Sequence, residues 1–451
     1  MLPLRPASLI VLGTVAFALQ CAPKEDASNV TVAPDIGVSA EIEANPSSTD
    51  LPRSPTGAWQ DEVVNPVWSL FIAEADIRAL NEELFADVEV PATLVADGAV
   101  YDLKVELQGG SSRTYPKKNF RLKFSGSDPF NGNPFENNSA QDGFKRLVLR
   151  ASWKDQSFVR EAIAFKALER IGGNAPRVSW VNLQLNGTYW GLYTVVEPID
   201  EDFLARRQFR TGGELYKAVR QAAGFKPGID VHEGYEKKSG KEDEGKDFKA
   251  LNELLELIWN TPITEHDYLN VIDPLFPIER ILQRLMWASY TQNGDSIRHN
   301  YYLYREPTLW PEDEALDGQW WILPWDSDIC LSNHWKLEEA MEPVESHTML
   351  SGPAFLSENL AKIDSFRTTF VDLFESYLAT EWSPDAMSTL IEELYEAHAF
   401  DIELDLHHWE RTSSVDEEFD ELRLFVAKRP AVLIPLLAKF RESPHIDEIH
   451  P

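Results

Sequence analysis

The chain has 451 residues and a formal net charge of −32, with 43% hydrophobic residues, 11% aromatic residues and 14 Trp. That composition excludes wholesale disorder, and the length allows two or three domains or one elaborate domain. A surface this acidic repels nucleic-acid phosphates and anionic lipid, which argues against a general nucleic-acid binder.

The N-terminal residues 1–21 read as an export signal. Arg5 supplies the positive region and Leu9 to Leu19 an apolar core too short to span a bilayer comfortably. Cys21 follows almost at once, as in lipoprotein signals, although Gln20 stands where a small residue is expected. The outcome is either a lipid on Cys21, the only membrane link implied, or simple cleavage nearby. Residues 22–59 are rich in Ser, Thr, Pro, Ala, Asp and Glu, and read as a disordered tether. The only other cysteine, Cys330, follows an apolar strand and reads as a buried small hydrophobe.

The section from 60 to 199 is β-rich. Val67 to Ile72 forms a strand, a helix begins at Ala73-Glu74, and Ala92 to Val95 with Val100 to Leu107 bracket a hairpin turn at Asp97-Gly98. Between two strands lies Gly109-Gly110-Ser111-Ser112-Arg113-Thr114-Tyr115-Pro116-Lys117-Lys118. Its glycines, hydroxyls and cations suit an anion cradle, although a solvated basic hairpin tip has the same composition, and it lacks the ending of a Walker loop. Asn119 to Phe124 and Arg146 to Ala151 are strand-like, and a helix starting at Ser157 runs through Glu161 to Ile171. Glu161, in its first turns, suits pairing with a strand lysine, although such residues more often only solvate a helix face. Trp180 to Leu185, Asn186-Gly187, and Tyr189 to Glu197 give a second hairpin.

From 200 to 445 helices dominate. Asp200 to Arg207 reads as a capped helix, Gly213 to Lys217 as a strand, and the charged stretch around 226–247 as an exposed insertion. Phe248 to Trp259 and Ile278 to Tyr290 are amphipathic helices, and Ala354 to Leu378, Pro384 to His398 and Asp416 to Phe440 are three more. Adjacent His407 and His408 point different ways on a helix, against a metal pair. Between these helices Asn293-Gly294-Asp295 leads through Asn300 into Tyr301-Tyr302-Leu303-Tyr304, and Trp320 to Trp325 ends in Asp326-Ser327-Asp328. A carboxylate, an amide five residues on and a later carboxylate pair suit a divalent-metal phosphoryl-transfer site, though ordinary turns also produce such a spacing. Two carboxylates that close together suit a shared cation better than glycoside hydrolysis across a cleft.

The order of these motifs resembles the CotH kinase family. The likeness is carried by Ser112-Arg113, Lys117-Lys118, Phe120-Arg121-Leu122-Lys123-Phe124, Asn186-Gly187-Thr188-Tyr189-Trp190-Gly191 with Glu197, Leu215-Tyr216-Lys217, Asn293-Gly294-Asp295 with Asn300, and Trp325-Asp326-Ser327-Asp328. The resemblance implies an α+β, atypical protein-kinase-like fold with a β-rich smaller lobe and a mainly helical larger lobe. It implies ATP and Mg2+ or Mn2+ as cofactors, and Ser or Thr of an exported protein, or of the chain itself, as acceptor. Asp295 would act on the acceptor hydroxyl. Asn300 and Asp326 would hold metal, with Asp328 an extra ligand. Lys118, Lys123 and Lys217 are the candidates to meet the phosphates, with Glu161 as partner, and Glu197 would lie beside the adenine between the lobes. The alternative is a kinase-fold surface protein that serves adhesion or scaffolding without catalysis.

Overall fold

The structure is a computed structural model, and it describes residues 59–135, 143–220, 223–240, 248–297, 299–307, 318–333 and 354–443. The export signal, the tether up to residue 58 and part of the charged insertion therefore lie outside the described residues.

Seven strands close into a barrel in the order β1 (Val67–Ile72), β2 (Val90–Ala96), β3 (Ala99–Leu107), β4 (Phe120–Phe124), β5 (Arg146–Arg150), β7 (Thr188–Val196) and β6 (Val178–Leu185). The single parallel pairing, β1 with β6, closes it, running from Val67 opposite Asn182 to Leu70 opposite Leu185. Both tight hairpins have the left-handed turn residues their strand twist demands: Asp97 and Gly98 at φ 51° and 78°, Asn186 and Gly187 at 51° and 84°. Helix α1 (Glu74–Glu82) follows β1, and α2 (Arg160–Arg170) connects β5 to β6.

The larger region begins with α3 (Glu201–Arg206), whose first amides are capped by the Asp200 carboxylate. It contains an antiparallel sheet ordered β11 (Trp320–Pro324), β10 (Tyr301–Arg305), β8 (Glu214–Ala218), β9 (Tyr235–Ser239). Around it lie α4 (Val231–Gly234), α5 (Lys249–Asn260), α6 (Glu265–Ile272) and α7 (Ile278–Thr291), then α8 (Ala354–Leu360), α9 (Asp364–Ala379), α10 (Pro384–His408) and α11 (Val415–Glu442). The architecture is thus α+β, with a β-rich smaller part and a mainly helical larger one. Among the described residues no helix is long and apolar enough to cross a membrane.

Four segments differ from expectation. The insertion is not wholly exposed: α4 and β9 fold within it, and Tyr235 anchors β9 by bonding the Ala223 carbonyl at 2.8 Å. Helix α6, capped by the Thr264 hydroxyl, was not foreseen. The expected helix from Ala354 to Leu378 breaks into two around residues 361–363, and α10 continues past His398 to His408.

Strand alternation separates two cores. Leu147 and Leu149 face the barrel interior, whereas Val148 between them joins the core shared with α2, α7 and the C-terminal helices. Helix α10 fastens the two parts together through two carboxylates one turn apart. Asp401 accepts bonds from the Asn65 backbone at 2.8 Å and Asn182 Nδ2 at 2.9 Å, and Asp405 accepts from Leu192 N at 2.7 Å and Lys117 Nζ at 2.5 Å.

Candidate active site

The barrel and the four-stranded sheet meet where β5, β8 and β11 end and β10 begins. Tyr301 stands opposite both Ala218 and Pro324, so the residues flanking that row converge. Asn300 joins them: its N–H donates to the Ala218 carbonyl at 3.3 Å and its own carbonyl accepts from Trp325 N at 3.2 Å. Asn300 and Asp326 are both left-handed, at φ 59° and 56°, a backbone state uncommon outside glycine and concentrated at functional sites. Asp295 lies in the 3-10 turn Gly294–Ile297 just beyond α7, and its side chain falls outside the described residues.

The centre of the site is Arg150, the last residue of β5. Its Nη1 donates to Asp326 Oδ1, its Nε lies 3.2 Å from Glu161 Oε2, and its guanidinium stands 5.0 Å from the centre of the Trp325 ring. Glu161, in the first turn of α2, also accepts from Ser327 N at 3.1 Å. One carboxylate therefore fixes both the barrel cation and the segment that carries Asp326 and Asp328. The expected partner of Glu161 was a lysine; the structure supplies an arginine instead. Strand parity held the missed signal, since Arg150 shares the outward face with Val148 and stands directly ahead of the loop to α2.

Lys217, on β8, is the one lysine of the three candidates that faces this centre. Its ammonium lies 6.0 Å from the Trp325 ring. Burial pushes it down to about 8, against the pull of Asp326 in the other direction. The other two are engaged elsewhere. Lys123 pairs with Glu89 and Glu106, both at 2.6 Å, because its outward position on β4 faces those acids. Lys118 turns inward and donates to the Arg113 carbonyl at 2.8 Å, and burial lowers it too to about 8. Its neighbour Lys117 is 1% exposed and lies between the Phe158 and Tyr193 rings on its way to Asp405. The glycine-serine loop is thus not the open basic cluster its composition implied. Glu197 is fully buried, held by Arg177 and by Arg206 at 2.9 Å each. Its side chain ties β7 to α3, so it has no free oxygen to turn toward a nucleotide.

A small cleft opens beside Arg150. It is lined by Ser112 and Tyr115 of the glycine-serine loop, by Trp153 and Lys154, and by Glu161 and Asp328. Lys154 stands 5.5 Å from the Tyr115 ring.

Glu161, Asp326 and Asp328 gather around Arg150 and Lys217. Asp155 is paired with Arg160 at 2.8 Å. Burial raises Glu161, with Arg150 opposing it, and burial together with Asp326 raises Asp328 well above the ordinary range. Burial would raise Asp326 as well, but Arg150, and more weakly Lys217, hold it below. This gathering of carboxylate oxygens fits a divalent cation, which would favour their ionised forms. Among the described residues no group of three or more His, Cys, Asp or Glu side chains is arranged to enclose a metal. Asp326 and Asp328 with the Asn300 amide are nonetheless a donor set of the kind that holds magnesium, which takes few protein ligands and completes its shell with phosphate and water.

A family model described as CotH kinase protein matches residues 105–433. The chain is 24% identical over 340 residues to the inner spore coat protein H of Bacillus subtilis (strain 168), covering 73% of this chain and 86% of that protein. Among solved structures, the Shewanella oneidensis HipA, HipB and operator DNA complex aligns at 13% identity and a TM-score of 0.29, over 80% of this chain and 67% of the other. The Helicobacter pylori proinflammatory kinase CtkA aligns at 10% identity and a TM-score of 0.27, over 79% and 93%. These two superpositions are loose, and neither bears on the roles of individual residues.

Proposed function

The chain belongs to the CotH kinase family, and on that premise we propose that it transfers the γ-phosphate of ATP to a Ser or Thr hydroxyl of an exported protein, itself included. The name of its spore-coat relative supports a place outside the cytoplasm. The export signal at residues 1–21 supports it too.

The observation that carries the proposal is the bridging of Glu161 and Asp326 by Arg150 at the junction of barrel and helices. A strand cation anchored by a helix carboxylate meets the negative charge of a nucleotide, and the same contact holds the metal-binding segment in register. Arg150 Nη2 is buried with no hydrogen-bond partner among the described residues, so its guanidinium holds donor capacity beyond the contacts to Glu161 and Asp326. Lys217 is the second phosphate cation. Asp326, Asp328 and Asn300 are the residues to hold magnesium or manganese, which when bound offsets the phosphate charge. Asp295 orients the acceptor hydroxyl and receives its proton.

The test is transfer of labelled phosphate from ATP with magnesium, with the chain itself and dephosphorylated casein as acceptors. Asp295→Ala and Asp326→Ala abolish transfer, and Arg150→Met lowers it by about 10²- to 10³-fold, the range for a lost charge-stabilising donor. Full activity in the two aspartate variants contradicts the assignment.

A second reading, a kinase-fold surface protein without catalysis, draws on one observation: Asp326 is already neutralised by an internal arginine. Under that reading ATP and magnesium leave the melting temperature unchanged, whereas a kinase is stabilised by them.

A further inference from the structure

Beneath the turn that carries Asp295 lies a charged residue with no role in the chemistry above. Arg284, on α7, is 2% exposed. Its Nη2 donates to the Ser296 carbonyl at 3.3 Å, and its guanidinium stands 4.3 Å from the Trp287 ring. Its Nε and Nη1 are buried and have no hydrogen-bond partner among the described residues.

Such a cation is unfavourable for folding, because burial strips its hydration and leaves donors unmet, whereas an apolar side chain of similar length fills the same space without that penalty. Its one hydrogen bond among the described residues ends on the Gly294–Ile297 turn. Other fastenings of that turn are local: Asn293 Oδ1 accepts from Ser296 N at 3.1 Å, and Ser296 Oγ donates to the Asn293 carbonyl at 2.7 Å. Both residues are fully buried, and the chain reaches them through Gln292 in a left-handed conformation, φ 55°. Asn293 N also donates to the Ala288 carbonyl of α7 at 3.0 Å, which ties the start of the turn to the helix. Arg284 ties its far side, at Ser296.

We propose that Arg284 is a positioning residue for phosphoryl transfer, fixing through the Ser296 carbonyl the backbone that carries Asp295. The inference rests on the kinase reading. Without the guanidinium the Ser296 side of the turn loses its side-chain tie to α7, and a shift of about 1 Å at a reacting group costs on the order of 10²-fold in rate. Nucleotide affinity depends on Arg150 and Lys217 and stays as it was.

The experiment compares the full chain with its Arg284→Met and Arg284→Lys variants. Its readouts are steady-state transfer from ATP with magnesium to dephosphorylated casein and to the chain itself, melting temperature, and amide exchange at residues 294–297. Arg284→Met is expected to lower kcat by about 10- to 100-fold, leave KM for ATP intact, keep or raise the melting temperature, and speed exchange of the turn but not of α7. Arg284→Lys restores part of kcat. The inference is overturned if Arg284→Met keeps wild-type kcat and exchange, or if kcat and KM fail together with the melting temperature, as for a merely structural residue. A wild-type chain that transfers nothing to either acceptor overturns the kinase reading itself, a different result from an active wild type beside an equally active variant.

Discussion

Arg150 does at one residue what the sequence seemed to divide among lysines. It holds Glu161 on one side and Asp326 on the other, so Asp326 stays ionised while Asp328, pressed by its neighbour and by burial, is raised. The carboxylates of the site were legible because motif order places them. The cation was not, because an arginine closing an apolar strand has the same appearance whether it points into solvent or into a cleft. Lys217 offers a pH test. Its ammonium sits at about 8 through burial, below the usual lysine value of about 10.4. It is therefore charged below about 8 and neutral above, so ATP affinity is present at neutral pH and falls as pH rises through that value, while Lys217→Arg keeps it. Stability runs the other way. Between about 8 and 10.4 the folded state binds fewer protons than the unfolded one, so this lysine makes stability rise with pH in that window and costs stability below it. Lys217→Met is expected to melt roughly 2–6 °C higher at pH 7 in calorimetry while binding ATP more weakly.

At the scale of elements, the turns were the most readable part of the chain. Asn186-Gly187 and Asp97-Gly98 fix their hairpins through local backbone chemistry, and the structure places the strands on either side within about two residues. Elements that depend on distant partners were harder to foresee. Strand β9 exists because β8 and Tyr301 wait for it, and the charged sequence of Glu236, Lys237 and Lys238 conceals it. Helix α10 runs on to His408 because Asp401 and Asp405 are drawn into the barrel wall, a long-range contact invisible to periodicity. Gly191 makes that docking feasible. At φ 126° it lies so close to α10 that a Cβ would collide with Asp405 Oδ2 and come within 3.0 Å of Lys117 Cε and Trp409 Nε1. Asp405→Ala leaves the Lys117 ammonium buried without its counter-ion, which is expected to cost about 3–5 kcal/mol in denaturant unfolding. Gly191→Ala is expected to destabilise through both strain and collision. A loss under about 0.5 kcal/mol in Asp405→Ala would mean that the helix does not clasp the barrel.

Across the whole molecule, two cores share the walls of β5 and β7, and the chemistry sits on their common boundary. A chain with 74 acidic and 42 basic residues has little general attraction for a nucleotide, so binding must come from a local exception. Under the proposed function Arg150 and Lys217 provide one, beside the carboxylates of Glu161, Asp326 and Asp328. The account therefore predicts that neither ATP nor metal binds well without the other, and that both depend on Asp326. Calorimetric titration of ATP with magnesium into the wild-type chain and into Asp326→Asn tests this most directly. Saturable, magnesium-dependent binding at one site in the wild type, lost in the variant, is the predicted result; a wild type that takes up no nucleotide, or a variant that binds it equally well, would contradict it.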